Sequence, residues 1–352
     1  MKSYDIVEYG APLKPVERPT PTPTGSEVLL KVTAAGVCHS DVHIADGYFD
    51  MGGGKRLNMA DRGMKLPHTL GHETVGEVVA CGPEAKGIKP GDQRIVYPWI
   101  GCGTCEVCAA HTENHCLAPR YLGVQRPGGF SDHIVVPHPR YLLEIGSMSP
   151  VEASPYACSG LTTYSALRKF GDTLKTRAVV IIGAGGLGLQ CIAIHRALGG
   201  KAAIAVDISP AKREAALQAG AVTAIDGAAP DAVAQLKQAA GGTVWQVVDL
   251  VGGPTTTQLG IDCLTKGGKL VVVGLYGGQI TIPLPLFPQR ALTVQGSYTG
   301  SLPEFESLMV LARNGKVPRI PIGTRPLDQA PAALEDLRAG KIIGRTVLTP
   351  RF

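Results

Sequence analysis

Four cysteines crowd one short stretch of the chain, and their spacing suits a metal ion. They are Cys102, Cys105, Cys108 and Cys116, which fall within fifteen residues of a 352-residue sequence. Thiolates at this spacing can close a tetrahedral zinc site that leaves no position for substrate, so the predicted role of the metal is structural. The intervening Gly, Thr and Glu residues argue against four unrelated buried thiols. His111 and His115 lie in the same segment and stay open as alternative ligands.

A glycine-rich turn follows the β-like run Val179–Ile182 and precedes an apolar stretch with helical spacing. In this setting the pattern G-x-G-x-x-G predicts a dinucleotide site, because backbone amides and the helix dipole stabilise phosphate charge. Gly183 would allow the tight turn, Gly185 the approach of the pyrophosphate, and Gly188 close packing of helix on strand. The residues predicted to bind the cofactor at this turn are Gly183, Gly185, Gly186, Leu187 and Gly188.

Asp207 stands nineteen residues after Gly188, at the end of the next β-like run. A carboxylate at this position accepts hydrogen bonds from ribose hydroxyls and repels a 2′-phosphate, so it favours NAD over NADP. The alternative is that Asp207 only caps the following helix. Lys212 and Arg213 lie close enough to leave some use of NADP open.

The composition excludes several other classes of protein. The net charge is +5, but Lys and Arg are scattered and not interleaved with aromatic residues, which argues against a nucleic-acid partner. No apolar run approaches the roughly 18 residues that span a bilayer, and the N-terminus lacks the apolar core of a signal peptide. With nine cysteines, an odd number, the sequence predicts a cytoplasmic protein with metal sites rather than disulfides.

The pattern of apolar runs in the sequence changes near residue 150. Short β-like runs such as Val28–Val32 and His133–Val136, separated by Gly and Pro, predict a mainly β part before it. From residue 178 short apolar strands alternate with helical stretches, which predicts an α/β, doubly wound parallel sheet. We therefore expect a catalytic domain formed by residues 1–150 and 290–352 and a nucleotide-binding domain formed by 151–289.

Further candidate ligands are dispersed, and spacing alone would not connect them. They occur in Cys38-His-Ser-Asp-Val-His43, in Gly71-His72-Glu73 and in Cys158-x-Gly-Leu-Thr. A single His or Cys is more often an ordinary surface or core residue than a ligand. Together with the four-cysteine segment, the glycine-rich turn, Asp207 and the terminal Gly344-Arg345, however, these motifs cover almost the whole chain. In that combination the sequence resembles the zinc-containing medium-chain alcohol dehydrogenases.

The resemblance implies a fold and a metal site. The fold would be a GroES-like catalytic domain joined to a Rossmann domain. Cys38, His72 and Cys158 would bind a catalytic zinc and leave a fourth position for water or substrate oxygen. Asp41 would accept a hydrogen bond from the His72 imidazole, and Glu73 would lie just behind the metal.

The resemblance also implies a proton path and contacts to the coenzyme. Ser40 would receive the substrate proton, the ribose of the coenzyme would pass it on, and His43 would deliver it to solvent. A hydroxyl suits the first step because it both donates and accepts, and an imidazole suits the last because it titrates near neutral pH. His39 and Arg345 would lie near the pyrophosphate. A turn residue and a solvated histidine are the alternatives for Ser40 and His43, and a plain surface role is the alternative for His39.

The expected activity is hydride transfer between an alcohol and NAD, where the alcohol is primary or secondary and bulky, aromatic or medium-chain. We also expect two zinc ions per chain and a homotetrameric assembly. Val271–Val294 would be the segment where subunits pair their sheets. The alternatives are a polyol dehydrogenase, a glutathione-dependent formaldehyde dehydrogenase, and a non-catalytic NAD-binding sensor or structural protein. Cys158, where polyol enzymes commonly have a carboxylate, opposes the first. The formaldehyde enzymes are usually longer, and the non-catalytic relatives typically lose the metal ligands.

The chain departs from the family pattern between His43 and Gly71, where the link is unusually long. We expect residues 47–67 to shape the substrate pocket, although a mobile insertion is the alternative. Tyr97 and Trp99 would be aromatic walls of the pocket or ordinary core. Five residues of the long link could contact a larger substrate or anchor the loop: Tyr48, Phe49, Met51, Met59 and Met64.

Overall fold

The computed structural model describes residues 1–350. Its strands are β1 (Lys2–Ile6), β2 (Lys14–Glu17), β3 (Val28–Val37), β4 (Tyr48–Asp50), β5 (Arg56–Asn58), β6 (His68–Thr69), β7 (Glu73–Cys81), β8 (Gln93–Val96), β9 (His133–Val136), β10 (Leu142–Glu144), β11 (Ala178–Ile182), β12 (Ala202–Val206), β13 (Thr223–Ile225), β14 (Val244–Asp249), β15 (Leu264–Val272), β16 (Thr293–Gly296), β17 (Ile322–Pro326) and β18 (Arg345–Thr349). Its α-helices are α1 (His39–Asp46), α2 (Glu106–Ala109), α3 (Pro150–Ala153), α4 (Ser159–Arg168), α5 (Gly186–Ala197), α6 (Pro210–Gln218), α7 (Ala232–Ala239), α8 (Pro254–Cys263), α9 (Leu286–Arg290), α10 (Leu302–Arg313) and α11 (Ala330–Arg338).

The first part of the chain is mainly antiparallel, as its short β-like runs predict. The long strand β3 pairs with β7, β9 and β18, so it lies at the centre of a seven-stranded sheet. Because β18 pairs antiparallel with β3, with Thr346 opposite Val37, the end of the chain returns to the first part as expected. That pairing brings Arg345 next to the segment that carries Cys38.

The second part contains a six-stranded parallel sheet in the order β13-β12-β11-β14-β15-β16. Alternate residues of β11 enter two separate apolar clusters: Val179 and Ile181 face one, and Val180 and Ile182 face the other. Burial on both faces explains why these strands are continuous apolar runs. The predicted doubly wound sheet is confirmed.

The last strand of the parallel sheet extends the nucleotide-binding part beyond its predicted end. β16 (Thr293–Gly296) pairs with β15, although it lies beyond residue 289, the predicted boundary. The strand is hard to recognise in the sequence because three prolines precede it between residues 283 and 288 and all four of its residues are exposed. The division into domains stays a prediction, and a boundary after residue 296 agrees better with the strand pairing. No helix among residues 1–350 is long and apolar enough to cross a membrane.

The long link after His43 forms a small hairpin, β4–β5. Its tip packs on the turn after β15: a Cβ on Gly52 would stand 2.6 Å from the carbonyl oxygen of Gly278. Met59 and Met64 are buried, so they anchor the link to the core instead of contacting substrate. The hairpin therefore joins the catalytic part of the chain to the nucleotide-binding part.

Candidate active site and metal centres

The four-cysteine segment forms a compact lobe with α2 in its middle. The sulfurs all lie within 4.8 Å of one another, with 3.4 Å between Cys105 and Cys108 and 3.7 Å between Cys105 and Cys116. A tetrahedral zinc ion with bonds of about 2.3 Å needs sulfurs about 3.8 Å apart, so the set fits the metal. His111 and His115 are not part of this group.

The lobe is fastened to the rest of the site by buried polar contacts. The Asn114 side chain donates a hydrogen bond to the carbonyl oxygen of Tyr298, at 2.9 Å, and accepts none at its own Oδ1. The Tyr121 hydroxyl donates to the carbonyl oxygen of Asn114, at 2.7 Å. Loss of the metal from the lobe should therefore displace Tyr121 and Tyr298, because these hydrogen bonds join both residues to Asn114 of the lobe.

The structure brings the three dispersed ligands together. Cys38 follows β3, His72 precedes β7, and Cys158 precedes α4, yet their ligand atoms lie within 4.8 Å of one another. The sulfurs of Cys38 and Cys158 are 3.9 Å apart, again the separation that tetrahedral zinc needs. His72 Nε2 is buried without a hydrogen-bond partner, so this nitrogen is free to bind a metal.

Asp41 orients this set, as the resemblance implies. Its Oδ1 lies 3.1 Å from His72 Nδ1 and its Oδ2 accepts the backbone N–H of Cys38 at 2.9 Å. Both side chains are fully buried. One carboxylate therefore fixes both the ring of one ligand and the backbone of another, which leaves His72 Nε2 for the metal.

Glu73 lies behind the ligands and bonds to both halves of the molecule. Its Oε1 accepts the backbone N–H of Ser159 at 3.2 Å, and its Oε2 accepts a hydrogen bond from Arg345. Burial raises the pKa of Glu73 to about 7, while the Arg345 charge opposes that rise. A side chain on Gly36 would collide with the Glu73 carboxylate, so this position must stay glycine.

The glycine-rich turn has the geometry of a phosphate cradle. Gly183 has φ of 96°, which L side chains rarely adopt, and a Cβ on Gly188 would collide with the carbonyl oxygen of Gly183. A Cβ on Gly185 would meet nothing within 4 Å, which leaves open space where a pyrophosphate could approach. Gly186 lies against Gly344 and Arg345, so the turn contacts the catalytic part directly.

Asp207 faces this turn and is not a helix cap. Its Oδ2 accepts the backbone N–H of Ala184, and its Oδ1 accepts that of Ser209, both at 2.9 Å. Helix α6 begins at Pro210, and its cap is Ser209, whose hydroxyl accepts from the backbone of Lys212. The alternative that Asp207 only caps the helix is wrong.

The proposed proton path lies on α1. Ser40 and His43 are half-buried, whereas His39 is exposed. Burial lowers the pKa of His43, and the neighbouring His39 lowers it further. The Phe49 ring, from the hairpin, lies 5.1 Å from the His43 ring, measured between centroids.

An aromatic cluster borders the metal ligands, and only one of its members was expected. The Trp99 ring is 5.4 Å from the His72 ring, and its Nε1 donates to the carbonyl oxygen of Ala157 at 3.1 Å. Tyr121 and Tyr298 lie 5.3 and 6.4 Å from Trp99. No sequence signal marked these two tyrosines. Tyr97, by contrast, is ordinary core.

Comparisons with known proteins agree with this arrangement. The sequence matches the family model described as "Alcohol dehydrogenase GroES-like domain" over residues 24–147 and that described as "Zinc-binding dehydrogenase" over residues 186–314. The predicted pairing of a GroES-like domain with a Rossmann domain is thereby confirmed.

Individual relatives match over the whole length. A protein of Sulfurisphaera tokodaii named NAD-dependent alcohol dehydrogenase is 40% identical, with 99% of this chain and 100% of the relative covered. A D-arabinose 1-dehydrogenase (NADP(+)) of Saccharolobus solfataricus is 32% identical, with 99% and 97% covered. The crystal structure of the alcohol dehydrogenase from Aeropyrum pernix superposes with a TM-score of 0.90 at 31% identity, covering 99% and 100%. The chain belongs to the zinc-dependent alcohol dehydrogenases of the medium-chain dehydrogenase/reductase family.

Proposed function

We propose that this protein transfers a hydride between a primary or secondary alcohol and NAD, giving the aldehyde or ketone. The observation that carries the proposal is the convergence of Cys38, His72 and Cys158 within 4.8 Å, with His72 Nε2 unpartnered. The glycine-rich turn is joined to this centre through Arg345, which touches Gly186 on one side and Glu73 on the other. Metal and coenzyme sites are thus neighbours.

Each residue of the site has a separate role in the proposed reaction. Cys38, His72 and Cys158 would hold a zinc ion, which would supply Lewis-acid chemistry that favours release of the substrate hydroxyl proton. Ser40 takes that proton, and His43 passes it to solvent. Asp41 keeps the His72 ring in place, and Arg345 adds positive charge beside the turn that would hold the pyrophosphate of NAD.

The aromatic cluster favours a bulky, aromatic or medium-chain alcohol. Trp99 and Tyr298 place apolar ring surface beside the metal ligands, and rings prefer offset or edge contacts with other rings. A polyol would need donors and acceptors for each hydroxyl, and this wall offers few. The relative that acts on D-arabinose keeps sugars as the second class to test.

We also propose a cytoplasmic homotetramer. The outer edge of the parallel sheet is β16, whose four residues are all exposed, and it lies at the end of the segment Val271–Val294. An exposed strand edge is a ready template for pairing with a second copy. None of the nine cysteines forms a disulfide, which suits a reducing compartment. Light scattering at defined protein concentration tests the assembly.

The decisive experiment is an assay of NAD reduction over primary, secondary, aromatic and ω-hydroxy alcohols, with D-arabinose and a polyol included. We expect turnover of bulky primary or secondary alcohols and about two zinc ions per chain. Cys158→Ala should abolish turnover of every substrate while the four-cysteine lobe keeps its metal. Activity that survives this substitution, or the absence of zinc from the purified protein, would rule the mechanism out.

A further inference from the structure

Arg62, in the long link before Gly71, carries a positive charge that no neighbouring side chain neutralises. It ends a short 3₁₀ turn, and the buried Met59 and Met64 on either side anchor that turn to the core. Arg62 is half-buried, and within residues 1–350 its side chain makes no ion pair or hydrogen bond. The adjacent Asp61 accepts a hydrogen bond from an asparagine of the link instead. The guanidinium therefore has donors free for a ligand.

This guanidinium lies beside the aromatic cluster that borders the metal ligands. Burial raises the pKa of Tyr121 and of Tyr298, and the Arg62 charge lowers both. Because the effect of a charge falls with distance, Arg62 must lie near both tyrosines. The Cys158 charge acts on Tyr298 in the opposite direction. Tyr298 is thus within electrostatic reach of a ligand of the catalytic metal and of Arg62.

Tyr298 is held in place by its backbone and offers part of its ring to open space. Its carbonyl oxygen accepts the hydrogen bond from Asn114 at 2.9 Å. The residue is 41% exposed, and its ring lies 6.4 Å from that of Trp99. The Trp99 ring lies 5.4 Å from the His72 ring. An apolar wall therefore leads from the metal ligands towards Arg62.

We propose that Arg62 selects alcohols that carry a carboxylate at the end remote from the hydroxyl, so that the preferred substrates are ω-hydroxy acids. This inference rests on the proposed function. The hydroxyl would lie at the metal, the methylene chain against Trp99 and Tyr298, and the carboxylate on the Arg62 guanidinium, which can bind both oxygens. A partly buried ion pair is screened less by salt than an exposed one, which strengthens the preference.

The aromatic wall also sets a minimum length for the substrate. Two ring-to-ring steps, of 5.4 Å and 6.4 Å, separate His72 from Tyr298. An extended chain advances about 3.5 Å for every three bonds, so a substrate that reaches Arg62 needs on the order of six carbons. The hydroxyl-bearing carbon gives its hydride to NAD and the hydroxyl gives its proton to Ser40, while the carboxylate stays unchanged.

The test compares 6-hydroxyhexanoate with its neutral analogue 6-hydroxyhexanamide. The wild-type kcat/KM should be at least about tenfold higher for the acid, and about 0.5 M NaCl should reduce that preference. Arg62→Gln should lower the ratio of the two kcat/KM values at least about tenfold, through KM, and Arg62→Lys should recover part of it. Arg56→Gln changes an exposed arginine of the same link, and as the matched control it should leave the ratio unchanged.

Calorimetric titration of the zinc-loaded chain with 6-hydroxyhexanoate, in saturating NADH, gives a readout that needs no turnover. The Kd should rise at least about tenfold in Arg62→Gln and stay the same in Arg56→Gln. Turnover of 1-hexanol without preference for the acid, or an unchanged ratio and Kd in Arg62→Gln, overturns the proposal and leaves the alcohol dehydrogenase activity standing. If no alcohol reacts, the proposed function is contradicted, and the Kd values decide the role of Arg62.

The competing role for Arg62 is to balance the charge of the four-cysteine lobe, since Cys108 and Cys116 also act on Tyr121. Elemental analysis separates the two roles. Arg62→Gln should keep about two zinc ions per chain, and loss of the ion from the lobe would assign Arg62 to the lobe and overturn the proposal. If Arg62→Gln fails to fold, Arg62→Lys and the salt dependence of the wild-type preference decide.

Discussion

Arg345 joins the metal centre to the coenzyme turn through Glu73: its guanidinium donates to the Glu73 carboxylate, and its Cδ lies 2.5 Å from where a Cβ on Gly186 would stand. Both side chains are buried, at 6% and 0% exposure. The two partners are 272 positions apart in sequence. Through this pair, a change at the metal centre reaches the glycine-rich turn.

Removal of the arginine should therefore affect stability and coenzyme binding together. Arg345→Leu leaves the Glu73 carboxylate buried without its partner, which costs about 3 kcal/mol in the free energy of unfolding. We also expect KM for NAD to rise about tenfold, because a positive charge beside the turn is lost. Urea denaturation and steady-state kinetics measure the two effects. Arg345→Lys is the control, and it should recover part of both; a variant with unchanged KM for NAD would contradict this role.

Two adjacent glycines of the turn should respond differently to alanine. A Cβ on Gly185 meets nothing within 4 Å, and its φ of −71° suits alanine, so Gly185→Ala should keep stability within about 0.5 kcal/mol but raise KM for NAD. A Cβ on Gly186 would collide with the carbonyl oxygen of Gly344, so Gly186→Ala should lower the unfolding free energy by about 1–3 kcal/mol. Equal effects of both substitutions on thermal unfolding would contradict the packing described here.

The hairpin offers a second matched pair of glycines. Gly52 and Gly54 have nearly equal φ values, 78° and 76°, so alanine costs about 1–2 kcal/mol of backbone strain at either. A Cβ on Gly52 would stand 2.6 Å from Gly278, whereas one on Gly54 meets nothing within 4 Å. Gly52→Ala should therefore displace the hairpin and change KM for alcohol and NAD, and Gly54→Ala should not. Identical kinetics in the two variants would show that the contact has no part in catalysis.

The pH dependence of alcohol oxidation should report on His43. Burial lowers its pKa from the ordinary 6.5, so the neutral imidazole that accepts a proton dominates at pH 7. The acid limb of kcat/KM should accordingly fall below pH 6.5, where His43 becomes charged. His43→Gln should lower kcat and remove that limb, and the exposed His138→Gln should leave the profile unchanged. An acid limb that persists in His43→Gln would assign it to another group.

Single substitutions should remove the zinc ion from one metal centre and leave the other centre loaded. Cys105→Ser opens the four-cysteine lobe and should leave about one zinc ion per chain, with a loss of more than about 4 kcal/mol in unfolding free energy. Cys158→Ala should also leave about one zinc ion, abolish turnover and disturb stability less. Elemental analysis and thermal unfolding distinguish the variants. Loss of both ions in either one would show that the centres are not independent.

Local patterns in the sequence predicted the parts of the site whose residues lie close together in the sequence. The four-cysteine lobe, the turn at Gly183 and the strand before it each lie within a few residues, so spacing alone indicates their geometry. The apolar runs of the parallel sheet are equally local, because burial on both faces leaves a continuous hydrophobic signature. The link from His72 to Cys38 and Cys158, by contrast, came only from resemblance to a known family.

The tertiary structure determined the contacts that depend on pairing between strands far apart in the sequence. Antiparallel pairing of β18 with β3 brings Arg345 to Glu73, and no period or spacing encodes a contact across 272 positions. The same holds for Tyr298, which meets Trp99 only because the chain returns from the parallel sheet to the lobe. Met59 and Met64 look like contacts for a substrate in a loop, but packing buries them in the core. Side-chain type states what a residue can do, and the long-range fold determines which partner it meets.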